Sequence, residues 1–133
     1  CFGMQLLMSE SYEFGRCDGL GIIDGPVVRF VDDSLKVPQV GWNSIYAPKK
    51  NLGEDEVWND TLLAELEDGE YMYFVHSYYV VPADMSLVLA VTKYGDTEFC
   101  STLQRDNVVG FQFHPERSGK VGLKIIKKFL EKS

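Results

Sequence analysis

The sequence contains no run of eighteen apolar residues and no basic segment followed by an apolar one. We therefore expect no membrane span and no leader peptide. Cysteine is scarce: Cys1, Cys17 and Cys100 are odd in number, widely separated and without a C-x-x-C pair. This usage predicts neither a disulfide framework nor a structural zinc site, and it favours a reducing cytoplasm.

Positive charge is also in short supply, with 13 basic against 20 acidic residues and a net charge of -7. This balance argues against a broad phosphate-binding surface and so against a nucleic-acid partner. The hydrophobic fraction of 45% and the aromatic fraction of 13% indicate a folded protein. The 133 residues are expected to form one domain over 1–133, near the low end for a complete α/β enzyme.

The first half of the chain predicts few regular elements. Met4, Leu7 and Met8 have helical spacing and predict a helix over residues 1–10, followed by a loop from Glu13 to Gly25. Two short strands are predicted at Val27–Phe30 and Lys36–Val40, and a brief helix at Thr61–Leu66 with Asp60 as its N-cap.

The second half is rich in β-strand patterns. Strands are predicted at Tyr71–His76, Tyr78–Val81, Ser86–Tyr94, Thr97–Leu103 and Val108–His114. Ser118 is predicted to cap a final amphipathic helix, whose lysines form its solvated face. A sheet bracketed by helices usually has a parallel core, which needs a crossover for each strand. Too few crossovers are present here, so we expect the sheet to be incomplete in this chain.

The segment Gly110–Gly119 carries the strongest chemical signal. Alternating apolar residues from Val109 to Phe113 predict a buried strand, which Pro115 ends. This would leave His114 at the carboxyl end of the strand, where open α/β sheets bind ligands. Glu116 could accept a hydrogen bond from the imidazole and stabilise its protonated form, as the third member of a triad does. Taken alone, the pair is also compatible with a histidine held for packing.

Cys1 stands at the start of the first predicted helix. Unpaired backbone N–H groups and the helix dipole at this position lower the pKa of a thiol. Gly3 allows close packing of helix and strand, as in the second half of a nucleophile elbow. A C-x-G sequence by itself is also compatible with an inert cysteine.

Four segments together carry a family resemblance: CFGMQLL, KVPQVGWN, YFVHSYYV and FQFHPERSG, at residues 1–7, 36–43, 73–80 and 111–119. In this order they resemble the glutaminase subunits of imidazole glycerol phosphate synthase, within the class I (triad) glutamine amidotransferases. The resemblance implies an α/β, flavodoxin-like class I amidotransferase domain. It also implies Cys1 as nucleophile, His114 as general base and acid, and Glu116 as the partner that orients the histidine.

The resemblance further implies a glutamine substrate, which is hydrolysed through a thioester to glutamate and ammonia without a metal or cofactor. Gln5 and Glu13 lie where the family holds glutamine, and Ser77 and Tyr78 lie beside it. Gly3 would contribute to the oxyanion site, which is built from backbone donors.

A protein partner is implied as well: a (β/α)₈-barrel cyclase that uses the ammonia. Trp42, Asn43, Tyr73 and Arg117 are the candidate interface residues, and Arg117 replaces the lysine that the family commonly carries. Trp42 and Tyr73 are equally compatible with core positions. His76 is expected to be structural or to lie at the interface, because the family triad does not use it.

The family subunit normally has an N-terminal part that does not match here, so the domain is expected to be incomplete at its N-terminus. Three alternatives stay open. The chain could be a degenerate, non-catalytic partner of the barrel, or an amidotransferase subunit of a surface-sugar pathway. It could also be an N-terminal-nucleophile (class II) amidotransferase, although the apolar helix after Cys1 fits that architecture poorly.

Overall fold

The computed structural model describes residues 2–12, 17–31, 36–48, 58 and 61–132. These residues form two α-helices, α1 (Phe2–Leu6) and α2 (Gly119–Lys132). The strands they form are β1 (Met8–Ser11), β2 (Cys17–Asp18), β3 (Ile23–Arg29), β4 (Gln39–Ser44), β5 (Tyr71–His76), β6 (Tyr78–Val80), β7 (Val88–Tyr94), β8 (Thr97–Arg105) and β9 (Val108–Phe111). Short 3₁₀ turns cover Met85–Leu87 and Pro115–Arg117.

The strands form three sheets. The first has the order β2-β1-β3-β6, the second is the β4–β5 ribbon, and the third has the order β7-β8-β9. Strands β1 and β3 run parallel, whereas the other pairings in the described residues are antiparallel. A bridge between Tyr46 and Val91 connects the end of the ribbon to the third sheet.

Two clusters of buried side chains form the core. The larger one fills the space between the ribbon, the third sheet and α2, and it consists of Phe30, Ile45, Trp58, Leu62, Leu63, Leu66, Met72, Phe74, Ala90, Phe99, Phe113 and Ile125. The smaller one lies against α1, and it consists of Met4, Met8, Ile23, Val27, Val80, Val88, Cys100 and Leu103. Burial of this apolar surface is the main force that holds the sheets together.

The predicted helix over residues 1–10 is wrong in its second half. The helix ends at Leu6, and Met8 begins β1, where it pairs in parallel with Ile23. Met4 and Met8 are both buried, but in different elements. Their spacing of four residues therefore arose from a helix-to-strand junction, which periodicity alone does not distinguish from a continuous helix.

The predicted loop from Glu13 to Gly25 is only partly right. Residues 13–16 lie outside the described residues, but Cys17–Asp18 forms β2 and β3 begins at Ile23, before Gly25 and Pro26. Gly25 has a φ of 134°, and an added Cβ would lie 2.1 Å from the carbonyl oxygen of Val81. The strand thus continues through a position that only glycine fits.

The strand and the helix predicted for the middle of the chain also differ from the structure. The strand expected at Lys36–Val40 is found at Gln39–Ser44, because its pairing with β5 fixes its position. The helix expected at Thr61–Leu66 is instead a series of turns with i to i+3 hydrogen bonds, such as Ala64 N–H to Thr61 O. Its proposed N-cap, Asp60, lies outside the described residues.

The strand-rich half agrees closely with expectation. Strand β5 has the predicted limits, and β6, β7 and β8 differ from theirs by one or two residues. The strand predicted at Ser86–Tyr94 begins later, because Ser86 lies in the 3₁₀ turn whose N-cap is Asp84. The exception is β9, which ends at Phe111 and not at His114.

Candidate active site

His114 lies where the chain passes from the third sheet to the ribbon. After β9 ends, the N–H of Gln112 still donates to Ser101 O on β8 at 2.9 Å. The N–H of His114 instead donates to Tyr73 O on β5 at 3.0 Å. The prediction that His114 ends a strand is therefore wrong, because its backbone has exchanged one sheet for another.

Glu116 holds the His114 ring from the following turn. Pro115 occupies the first position of the 3₁₀ turn, where its missing N–H costs no hydrogen bond. This turn brings Oε1 of Glu116 to 2.8 Å from Nδ1 of His114. Because a carboxylate only accepts, Nδ1 carries the proton. When the ring is neutral, Nε2 is therefore unprotonated, and it makes no hydrogen bond within the described residues. A histidine in this state can act as a general base.

Ser118 ends the 3₁₀ turn, and its side chain connects this turn to β5. It is 2% exposed, and its hydroxyl donates to His114 O at 2.6 Å while accepting the N–H of Tyr73 at 3.0 Å. The prediction that Ser118 caps the last helix is correct for its position, since its carbonyl accepts the N–H of Gly122 at 3.2 Å. The prediction is wrong for its side chain, which points back to His114 and β5.

The segment around α1 packs against β9, the strand that leads to His114. Gly110, on the strand that leads to His114, packs against α1: an added Cβ would lie 3.0 Å from Cγ of Met4 and 3.3 Å from Cδ1 of Leu7. The helix that follows Cys1 is thus in contact with the strand that precedes His114. Cys1 itself lies outside the described residues, as does Glu13.

The other residues predicted to bind substrate lie on α1 and around the junction of β5 and β6. Gly3 and Gln5 are on α1, and Gln5 is buried. Ser77 connects the two strands, and its carbonyl accepts the N–H of Phe30 at 3.2 Å. Tyr78 begins β6 and is half-buried.

The glutamine amidotransferase class-I family matches residues 1–133. The chain belongs to this family. It is 49% identical over 135 residues to the imidazole glycerol phosphate synthase subunit HisH of Syntrophotalea carbinolica, covering 97% of this chain and 61% of that protein. The subunits of the same name from Geobacter sulfurreducens and Archaeoglobus fulgidus are 44% and 47% identical and cover 98% of this chain. The chain spans about 60% of the length of these relatives.

Membership of the class-I amidotransferases confirms the expected family and its mixed α/β, flavodoxin-like fold. In this amidotransferase chain, Tyr73 contacts two other predicted interface residues, Trp42 and Arg117. The Trp42 and Tyr73 rings pack edge to face, with their centres 5.9 Å apart. The Arg117 guanidinium lies 5.0 Å from the centre of the Tyr73 ring. Trp42 is 56% exposed, which excludes the core position that was an alternative for it. The Asn43 side chain forms hydrogen bonds within this chain: its Nδ2 donates to Lys93 O, and its Oδ1 accepts the N–H of Ser44.

His76 has a structural position in this amidotransferase chain, as expected. It is 6% exposed among aromatic rings, and burial lowers its pKa from 6.5 to about 4. Its Nδ1 donates to Tyr78 O at 2.9 Å, and its Nε2 lies 2.7 Å from Oε1 of Gln39. In the neutral ring Nε2 is an acceptor, so this hydrogen bond requires the Gln39 amide to present its NH₂ group instead. Sequence reasoning missed Gln39. The available signal was the alternation in β4 and β5, which places both residues on the buried face once the strands are paired.

Burial raises the pKa of the Cys100 thiol to about 12, so this cysteine is unreactive near neutral pH. Within the described ranges, no group of three or more His, Cys, Asp and Glu side chains is arranged to hold a metal ion. No helix in the part of the chain that is described is long and apolar enough to cross a membrane.

Proposed function

We propose that this chain hydrolyses glutamine to glutamate and ammonia with Cys1 as nucleophile, and that the ammonia passes to a synthase partner in histidine biosynthesis. The observation that carries this proposal is the 2.8 Å pair between Nδ1 of His114 and Oε1 of Glu116, found in a chain that belongs to the class-I amidotransferases.

The chemistry follows from the state of the His114 ring. Its Nε2 takes the proton of the Cys1 thiol, and the thiolate attacks the side-chain carboxamide of glutamine. The imidazolium then gives this proton to the leaving ammonia, and water hydrolyses the thioester. Glu116 keeps the ring in one tautomer and stabilises its positive charge. The packing of Met4 and Leu7 against Gly110 supports this arrangement, because it brings the helix that follows Cys1 into contact with the strand that leads to His114.

The substrate would be held by Gln5 and Glu13, and by Ser77 and Tyr78 at the β5–β6 junction. We assign the oxyanion site to backbone donors around Gly3. The position of Gln5 supports its role in holding the substrate. Its polar side chain is buried on α1, the helix that follows the nucleophile. A carboxamide ligand requires such groups to replace its hydration on binding.

The partner would be a (β/α)₈-barrel cyclase, forming a heterodimer through the outer face of the β4–β5 ribbon. On this face Val40 pairs with Val75 and Trp42 pairs with Tyr73, and Arg117 lies over Tyr73. Val40 and Trp42 are each 56% exposed and Val75 is 37% exposed. Adjacent exposed apolar side chains with a polar edge are typical of protein interfaces. Because the nucleophile is a thiolate, we place the activity in the reducing cytoplasm.

The relatives named above support the histidine pathway over a surface-sugar pathway, because each is called an imidazole glycerol phosphate synthase subunit. The presence of the complete His114–Glu116 pair speaks against a degenerate subunit.

The test is Cys1→Ala in the full-length protein assembled with its synthase partner. We expect loss of synthesis from glutamine, whereas synthesis from ammonium salts continues. Cys100→Ala is the matched control, because it also replaces a cysteine by alanine, but at a buried, unreactive position. This variant should keep the glutamine-dependent rate. Glutamine-dependent synthesis that survives Cys1→Ala would refute the assignment of the nucleophile.

A further inference from the structure

We propose that Ser118 is a positioning residue, which holds His114 in place for proton transfer by fixing its backbone. This inference rests on the proposed function and adds a residue to it. Ser118 is buried, and its hydroxyl connects two segments that are otherwise distant in sequence: the turn after β9 and the strand β5.

The contacts of Ser118 form a closed ring. The His114 N–H donates to Tyr73 O, the Tyr73 N–H donates to the Ser118 hydroxyl, and that hydroxyl donates to His114 O. Both backbone polar groups of His114 are thereby held against β5. Arg117 N–H also donates to His114 O at 3.0 Å, but this bond lies within the turn and does not connect it to the ribbon.

The side chain of His114 needs this support. Its one described side-chain hydrogen bond is to Glu116, which is 58% exposed, while His114 itself is 27% exposed. An exposed pair between two flexible side chains holds a geometry weakly, because water competes for both groups. The buried hydroxyl of Ser118 faces no such competition. The backbone, and not the hydrogen bond to Glu116 alone, therefore fixes where Nε2 lies.

A shift of the ring by a fraction of an ångström would affect proton transfer more than substrate binding. Among the described residues, the Ser118 hydroxyl forms hydrogen bonds only with the backbone of His114 and Tyr73. Its loss should thus lower kcat for glutamine hydrolysis and leave KM nearly unchanged. A misplaced reacting group commonly lowers a rate by up to about 100-fold.

The experiment compares four variants of the full-length protein with its partner: Ser118→Ala, Ser118→Cys, Ser118→Thr and Ser44→Ala. The cysteine variant retains the volume of serine but donates poorly, so it tests the bond even where alanine fails to fold. The threonine variant keeps the hydroxyl. Ser44→Ala is the matched control: it removes a buried serine hydroxyl on β4 that takes no part in the hydrogen bonds holding His114.

We expect kcat to fall about 10- to 100-fold in Ser118→Ala and Ser118→Cys, with KM changed less than about twofold. Ser118→Thr should recover most of the rate, and Ser44→Ala should retain it. The second measurement is the ¹⁵N chemical shifts of the His114 imidazole. In wild type they should show one tautomer, protonated at Nδ1, and in the alanine and cysteine variants a mixture.

Folded alanine and cysteine variants with a wild-type kcat and unchanged imidazole shifts would overturn the proposal. So would an equal loss of rate in Ser44→Ala, because the effect would then be general destabilisation. If the wild-type protein hydrolyses no glutamine, the proposed function fails, and the imidazole shifts still decide whether Ser118 positions His114.

Discussion

Acidification should destabilise this protein through His76, well before its carboxylates are fully protonated. Burial lowers the pKa of His76 to about 4, against 6.5 when the side chain is exposed to water. The unfolded chain therefore binds a proton at this residue below pH 6.5 that the folded chain does not bind until about pH 4. Since the unfolded state holds more protons in this window, stability falls as the pH falls.

The magnitude follows from the difference of about 2.5 pKa units, which corresponds to about 3 kcal/mol in total. About 2 kcal/mol of this should be lost between pH 7 and pH 5, with little further loss below pH 4. Burial is the largest cause of the shift, and the hydrogen bond to Tyr78 O partly opposes it.

The assay is urea unfolding of wild type and His76→Phe at several pH values between 7.5 and 4. Phenylalanine does not titrate and suits a site whose neighbours are Phe30 and Phe99, with ring centres 5.2 Å and 5.0 Å from His76. The variant will lose stability at pH 7, because Gln39 and Tyr78 lose a hydrogen-bond partner. The difference between the two proteins should shrink by about 2 kcal/mol from pH 7 to pH 5. A difference that stays constant with pH would refute the buried, neutral state of His76.

The remaining predictions concern the turn that carries the proposed triad. His114→Asn should abolish glutamine hydrolysis as severely as loss of the nucleophile, since base and nucleophile act as a unit. Glu116→Gln should lower kcat less than His114→Asn does. Equal, near wild-type rates in both variants would contradict the triad. Gly122→Ala should destabilise the protein by about 2 kcal/mol or more in urea unfolding and lower glutaminase activity, because the new Cβ would lie 1.9 Å from Pro115 O. Lys120→Ala, an exposed change on the same helix, should lower neither the stability nor the activity. If Gly122→Ala also leaves both unchanged, α2 does not pack tightly against this turn.

Local patterns predicted the elements whose partners lie close in sequence. The alternation from Tyr71 to His76 specified β5 correctly, because one face of the strand is buried and the other is exposed. The helix after Ser118 was also correct, since its apolar and lysine-rich sides follow the helical period. The segment around His114 and Glu116 was recognised from residue types and spacing, and the two side chains do pair.

Features that depend on distant partners were not predictable in this way. Whether Met8 continues a helix or begins a strand is decided by Ile23, its partner on β3. The early end of β9 depends on Tyr73, 41 residues away by number from His114, because the backbone N–H of His114 finds its acceptor there. Neither partner leaves a mark in the local sequence.

The sequence alone therefore determined the family, the paired His114 and Glu116, and the strands and final helix that have a clear apolar period. Only the tertiary structure decided which sheet holds His114, where the hydroxyl of Ser118 points, and that Gln39 meets His76. The physical reason is that a periodic pattern records which face of an element is buried. It does not record which distant donor or acceptor a polar group will meet once that face is covered.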